Sequence, residues 1–450
     1  MGCGTQYAFE LLTRQFYEWE IRGRGWRVWP RPVMLEPPFR PFFGHFLEGT
    51  SPIVDDGRKQ TRLSSIFERL KPPPNNALTL PVAVEPPLEF FDDGGPLAEI
   101  QIALPPETKV TRDTAAQFLL TLGHTSRPAS FEIVGTSESI VVQLTCAKRD
   151  ERQVCEQLQA YFPEAIVTAR EGFLASLWEG AGKQAVVDFG LSNEFMRPLR
   201  SYERFEPDPL SGVMGAMSDL VGRELAVLQV LFAPTRHPWP ENIMRAVSDS
   251  EGGSFFADDP SIAKLAAAKV AKPLFATVVR VAAQSPQEDR GWRIAENIGN
   301  SLRQFIDSPS NELIPLTNDE YDNRQHAADV VARRSCRSGM LVNSDELMSI
   351  AHLPSASARS PKLKREERRT KAPPALALGH ELVLGENYHA GKTLQVTLGH
   401  EQRVRHMHLI GASGSGKSTL LLSELSVAVR KLQAVAPRDP VMPVADGFFG

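Results

Sequence analysis

The run Gly411-Ala412-Ser413-Gly414-Ser415-Gly416-Lys417-Ser418 constrains this chain more than any other stretch. It matches G-x-x-x-x-G-K-[ST], the loop that cradles nucleoside phosphates. Glycines at 411, 414 and 416 let the backbone turn tightly and bring its N–H groups to an anion. Met407, Leu409 and Ile410 read as the end of a buried strand before the loop. Residues 419–430 read as a helix after it, with Leu420, Leu421, Leu425, Ala428 and Val429 at helical spacing. Such a helix aims its positive end at the phosphates. At average residue usage the four fixed positions should coincide by chance about 0.02 times in a chain this long. ATP and Mg²⁺ are therefore the expected cofactors, held by Gly411, Ala412, Ser413, Gly414, Ser415, Gly416, Lys417, Ser418 and Thr419. Lys417 is the expected catalytic residue, reaching the β- and γ-phosphates, and the Ser418 hydroxyl the expected Mg²⁺ ligand.

A chain of 450 residues has room for several domains. Its 42% hydrophobic and 23% charged content is that of a globular protein. A net charge of −4 means that any nucleic-acid contact must come from local patches. Cys3, Cys146, Cys155 and Cys336 form no C-x-x-C pair and no metal spacing, as expected of reduced structural thiols in a cytosolic protein. No apolar run is long enough to cross a bilayer. The N-terminus lacks the apolar centre of a secretory signal. Gln6 stands where myristoylation needs Ser or Thr. The expected location is cytoplasmic, or peripheral at the inner face of the membrane. His237, His352, His380, His389 and His400 are scattered at no ligand spacing and read mostly as surface or turn residues.

The fold class expected is α/β and α+β: two ferredoxin-like modules, then the start of a P-loop NTPase domain of RecA-like type. Residues 1–75 form an N-terminal arm with a helix over 7–21 and a Pro-rich linker. In the arm Arg22, Arg24, Arg27 and Arg31 interleave with Trp26 and Trp29. That pattern suits single-stranded nucleic acid, and suits better an arm whose aromatics pack inward while its arginines face water. Module 1, 76–175, reads β-α-β-β-α-β, with strands near 98–104, 130–134, 140–146 and 165–168 and helices near 111–122 and 151–161. Module 2, 176–320, repeats that order around an insertion at 233–271. Residues 321–354 read as a helical connector, in which Asn343 and Glu346 form a capping box. Residues 355–378 are a basic Ser/Pro linker, solvated or facing a phosphate backbone. Residues 379–450 are the incomplete N-terminal part of the ATPase domain.

The stretch 339–422 resembles the type IV secretion and conjugative DNA-transfer ATPases of the FtsK/HerA superfamily. The Arg405-His406 pair before the strand and the Leu384-Gly385-Glu386-Asn387 turn are its more particular features. The resemblance implies a hexameric motor that couples ATP hydrolysis to non-specific DNA translocation, with secretion or conjugation proteins as partners. Members of that group carry Asp-Pro-His-Gly-Asp where this chain has Asp439-Pro440-Val-Met-Pro. The sequence continues only 33 residues past Lys417, and a nucleotide-binding core needs roughly 150 residues to close its sheet. The expectation is therefore a chain apparently truncated after the loop, which binds ATP but does not hydrolyse it alone. Two alternatives stand beside it. One is an ABC-type ATPase fragment, whose loop sequence is similar but whose domain starts closer to the loop. The other is a non-enzymatic docking module carrying a relic ATPase stub.

Overall fold

The computed structural model describes residues 3–42, 89–91, 95–178, 182–203, 207–248, 253–256, 258–307, 310–366, 372–389, 392–403 and 418–419. The chain divides into two compact units, Met1–Glu367 and Arg368–Gly450.

In the first unit, α1 (Cys3–Glu20) leads into an extended arm. Then follow β1 (Leu97–Ala103), α2 (Arg112–Leu122), β2 (Ala129–Thr136), β3 (Ile140–Ala147), α3 (Glu151–Tyr161), β4 (Ile166–Arg170) and the short α4 (Phe173–Trp178). The order is repeated by β5 (Lys183–Leu191), α5 (Ser211–Ser218), β6 (Leu225–Pro234), β7 (Leu274–Ser285), α8 (Glu288–Ser301) and β8 (Leu313–Pro315). Helices α6 (Trp239–Val247) and α7 (Ile262–Val270) are inserted between β6 and β7. The eight strands form one antiparallel sheet in the order β4-β1-β3-β2-β6-β7-β5-β8. Each half thus has the same internal order. The halves meet where β2 pairs with β6 over eight residues, Ala129 opposite Phe232 through Thr136 opposite Leu225. Such a join leaves no bare edge in the middle of the molecule.

Strand alternation decides which side is greasy. Ile100 and Ile102, Phe131 and Ile133, Val142 and Leu144, Leu228 and Val230, and Val279 and Val281 share one core with α2, α3, α5 and α8. The opposite face carries a smaller apolar cluster, Val134, Val186, Val227 and Ala282, covered by Leu174 and Trp178 of α4 and by Ala327 and Val330 of α9 (Asn323–Ala332).

Residues read as one helical connector divide into α9, the strand β9 (Met340–Asn343) and α10 (Ser344–Ile350). β9 pairs with the start of β7, Leu274 opposite Asn343. Gly339 makes this possible: a Cβ there would stand 2.6 Å from the Thr277 nitrogen. The capping box is present, with Asn343 accepting from the Glu346 N–H and Glu346 accepting from the Asn343 N–H.

The first part of the expected linker is not solvated. Ser355, Ala358 and Leu363 are buried. The Ile140 N–H donates to the Lys362 carbonyl at 2.7 Å, and Lys364 returns a bond to the Ile140 carbonyl at 2.8 Å. Arg365 donates to the carbonyls of Ser355 and Ala358. Satisfying backbone groups in this way turns a charged stretch into a strap along β3.

In the second unit, β10 (Leu382–His389) and β11 (Lys392–Leu398) form an antiparallel hairpin whose register shifts between Val383 and Gly385. The Leu384 to Asn387 run, expected as a turn, is therefore strand with an irregularity. A short helix α11 (His400–Arg403) follows. Among the described residues, no helix is long and apolar enough to cross a membrane.

Candidate functional site

Of the residues expected to hold a nucleotide, Gly411, Ala412, Ser413, Gly414, Ser415, Gly416 and Lys417 lie outside the described residues, as do Arg405, His406 and Asp439. Ser418 and Thr419 are described; both are helical and exposed. The approach to the loop is pinned locally. Gln402 donates to the Leu376 carbonyl at 2.6 Å and accepts from the Gly399 N–H at 2.9 Å. Thr397 bridges the Ala377 carbonyl and the His380 N–H.

The chemistry that the sequence reading missed lies in the first unit. On the sheet face opposite the large core, six strands each place one polar side chain in a single cross-strand row. The partners run Gln101 opposite Gln143, Gln143 opposite Glu132, Glu132 opposite Gln229, Gln229 opposite Arg280, and Arg280 opposite Asp188. All six are buried. Gln143 and Gln229 donate to Glu132 at 2.6 and 2.9 Å. Arg280 donates to Gln229 at 3.3 Å and to Asp188 at 2.8 Å.

The segment after α9 closes over this row. Arg333, in the left-handed conformation at φ 51°, ends the helix. Its guanidinium donates to Glu132 at 2.9 and 3.1 Å and to Glu99. Arg337 reaches Asp188 at 3.2 Å and the Thr317 carbonyl at 2.9 Å. Arg334 pairs with Asp329 at 2.6 Å, and Tyr321 donates its hydroxyl proton to Asp329 at 2.8 Å. His326 stacks on Tyr321 at 3.9 Å with its Nε2 3.1 Å from Asp188. Glu99, Glu132, Asp188 and Asp329 thus face Arg280, Arg333, Arg334 and Arg337, and the charges cancel while His326 is neutral.

Burial drives the Glu132 carboxyl upward, but Arg333 and the hydrogen bonds outweigh it and hold the group below its ordinary value. Asp188 is likewise held low against burial by Arg280, His326 and Arg337. Burial and the two arginines push His326 down, against the pull of Asp188. Burial lifts the thiol of Cys336 to about 11 and that of Cys146 to about 12, so neither is a ready nucleophile. The row's donors and acceptors largely answer one another, which makes it a clamp between sheet and α9. A signal for it was present in β2, β3 and β6, each of which carries a single charged or amide residue amid mostly apolar neighbours, as Gln229 does in LAVLQVLF.

His352, expected at the surface, is buried and sits 3.1 Å from Asp208. Asp208 in turn accepts from the Ser355 N–H at 2.7 Å, anchoring the start of the strap. Among the described residues, no group of three or more His, Cys, Asp or Glu side chains could hold a metal ion.

A protein-family profile described as a domain of unknown function, DUF8128, matches residues 109–251. The match spans β2, β3 and β6, and so crosses the join between the halves. A search of curated proteins finds no match. Among solved structures, a chitooligosaccharide oxidase is similar at 10% identity and a TM-score of 0.26. That likeness covers 60% of this chain and 55% of the oxidase, and a superposition so loose carries no argument.

Proposed function

We propose that this chain is the nucleotide-binding part of a DNA-translocating ATPase of the type IV secretion and conjugation kind. The observation that carries the reading is the loop sequence from Gly411 to Ser418, with Ser418 and Thr419 helical immediately after it. An exposed hydroxyl on a helical residue next in sequence to Lys417 suits a Mg²⁺-nucleotide. Lys417 would sit against the β- and γ-phosphates, Ser418 would hold Mg²⁺, and the bound ion would offset phosphate charge. Under the same reading the two halves of the first unit are ferredoxin-like modules. The order β4-β1-β3-β2, matched by β8-β5-β7-β6, supports this. DNA, secretion-channel proteins and further copies of the chain in a hexamer are the proposed partners.

Titration calorimetry with Mg-ATP tests the core of the proposal. Binding is expected, with its loss in Lys417→Ala and a large weakening when Mg²⁺ is chelated. Equal heats from the wild type and Lys417→Ala would refute it.

A further inference from the structure

We propose that the first unit carries a contact surface for single-stranded nucleic acid, built on residues 89–91 and the arm beside them. It deepens the DNA-handling reading and rests on it for its role, while its chemistry needs no phosphate loop. Three arginines from three separate elements converge on three consecutive residues. Arg236 lies 3.7 Å from Glu89, Arg31 stands 4.0 Å over the Phe90 ring, and Arg127 stands 5.4 Å over the Phe91 ring. A fourth, Arg27, stacks at 3.9 Å on Trp29, which lines one cavity with Glu89 and Arg236.

The backbone holds these parts together. Phe91 donates to the Pro32 carbonyl and Met34 to the Glu89 carbonyl, both at 2.9 Å. Arg27, Arg31 and Arg236 are exposed, and Phe90 keeps 40% of its surface open. Two carboxylates lie beside Arg236: Glu89, whose pairing with it is loose and solvated, and Glu36, whose oxygens accept from the Arg236 and His237 N–H groups and the Trp239 indole. Asp92 and Asp93, next in sequence, lie outside the described residues.

Guanidinium groups set over aromatic rings, one of them exposed, suit one ligand class best. Bases stack on guanidinium planes and aromatic faces, and phosphates pair with the outward N–H groups. Duplex DNA offers the phosphates but hides its base faces. An acidic peptide offers charge without planar groups to stack.

The test is fluorescence anisotropy with the full chain and labelled oligothymidylate, without nucleotide. Four phosphate contacts predict a log–log salt slope of about −3, or about a 20-fold loss of affinity when salt is raised threefold. Replacing Arg27, Arg31, Arg127 and Arg236 together by Gln should cost at least about 10-fold. The corresponding fourfold Lys variant should keep the salt slope and still bind more weakly, because ammonium groups do not stack. Phe90→Ser should weaken binding with the slope unchanged, and circular dichroism would verify that each variant is folded. No binding at low salt, or undiminished binding by the Gln variant, would overturn the proposal. So would equal affinity for a duplex, or displacement by polyglutamate at equal charge, which would assign the surface to an acidic protein segment.

Discussion

Arg333 shows what one residue does here. Its left-handed backbone ends α9, and its guanidinium neutralises Glu99 and Glu132. Arg333→Ala leaves two buried carboxylates short of their counter-charge, and removing one partner of a buried pair costs about 3–5 kcal/mol. Chemical denaturation should show a loss of that size, with Arg333→Lys recovering only part because it lacks the bidentate fork. Gly339 acts by having no side chain. Gly339→Ala would drive a Cβ to 2.6 Å from the Thr277 nitrogen, so β9 must shift, with a loss of about 1–3 kcal/mol. An unchanged denaturation midpoint would show that the strand yields more freely than its packing suggests.

At the scale of elements, α10 is seven residues long and depends on its cap. Asn343→Ala removes the acceptor for the Glu346 N–H and a donor to the Lys269 carbonyl. A loss of about 1–2 kcal/mol is expected, read as a lower melting temperature. Capping was legible in sequence because it depends on residues three apart. The strand Met340–Asn343 was not: four residues before a capping box carry too little period to separate from helix, and β7 decides their state. The strap at 355–365 was hidden for a related reason. Its charged side chains suggest solvent, yet its backbone bonds to Ile140 and its arginine bonds to carbonyls fix its place.

At the scale of the molecule, the buried charges make the fold sensitive to acid. His326 is pushed below its ordinary value of 6.5, so the unfolded chain takes up its proton first. Stability is then complete above that value and falls as pH drops through it, by up to about 1.4 kcal/mol per pH unit. Glu132, Asp188 and Asp208 are held low, so a second loss begins as pH falls below their ordinary values of 4.5, 3.8 and 3.8. Melting temperature against pH should show both steps, and His326→Phe should flatten the upper one while sparing the lower. Because burial raises Glu20 to about 7 and so adds stability over the same window, the decisive comparison is between the two proteins: profiles of equal slope from neutrality to pH 5 for the wild type and His326→Phe would mean that His326 titrates alike in folded and unfolded chains. The division after Glu367 makes a further prediction. A chain ending there should keep its near-ultraviolet dichroism, because the sheet and both apolar clusters lie before that point.

What the sequence determined by itself was local. The cap rests on two residues three apart, and most strands on period-two apolar patterning. Tertiary structure decided which strands became neighbours, because β2 meets β6 through residues almost a hundred positions apart. The same pairing decided that six unrelated polar residues fall into one row. A lone Gln or Arg in an apolar strand says only that its face is unusual; register across the sheet, which no local pattern encodes, makes it half of a buried pair.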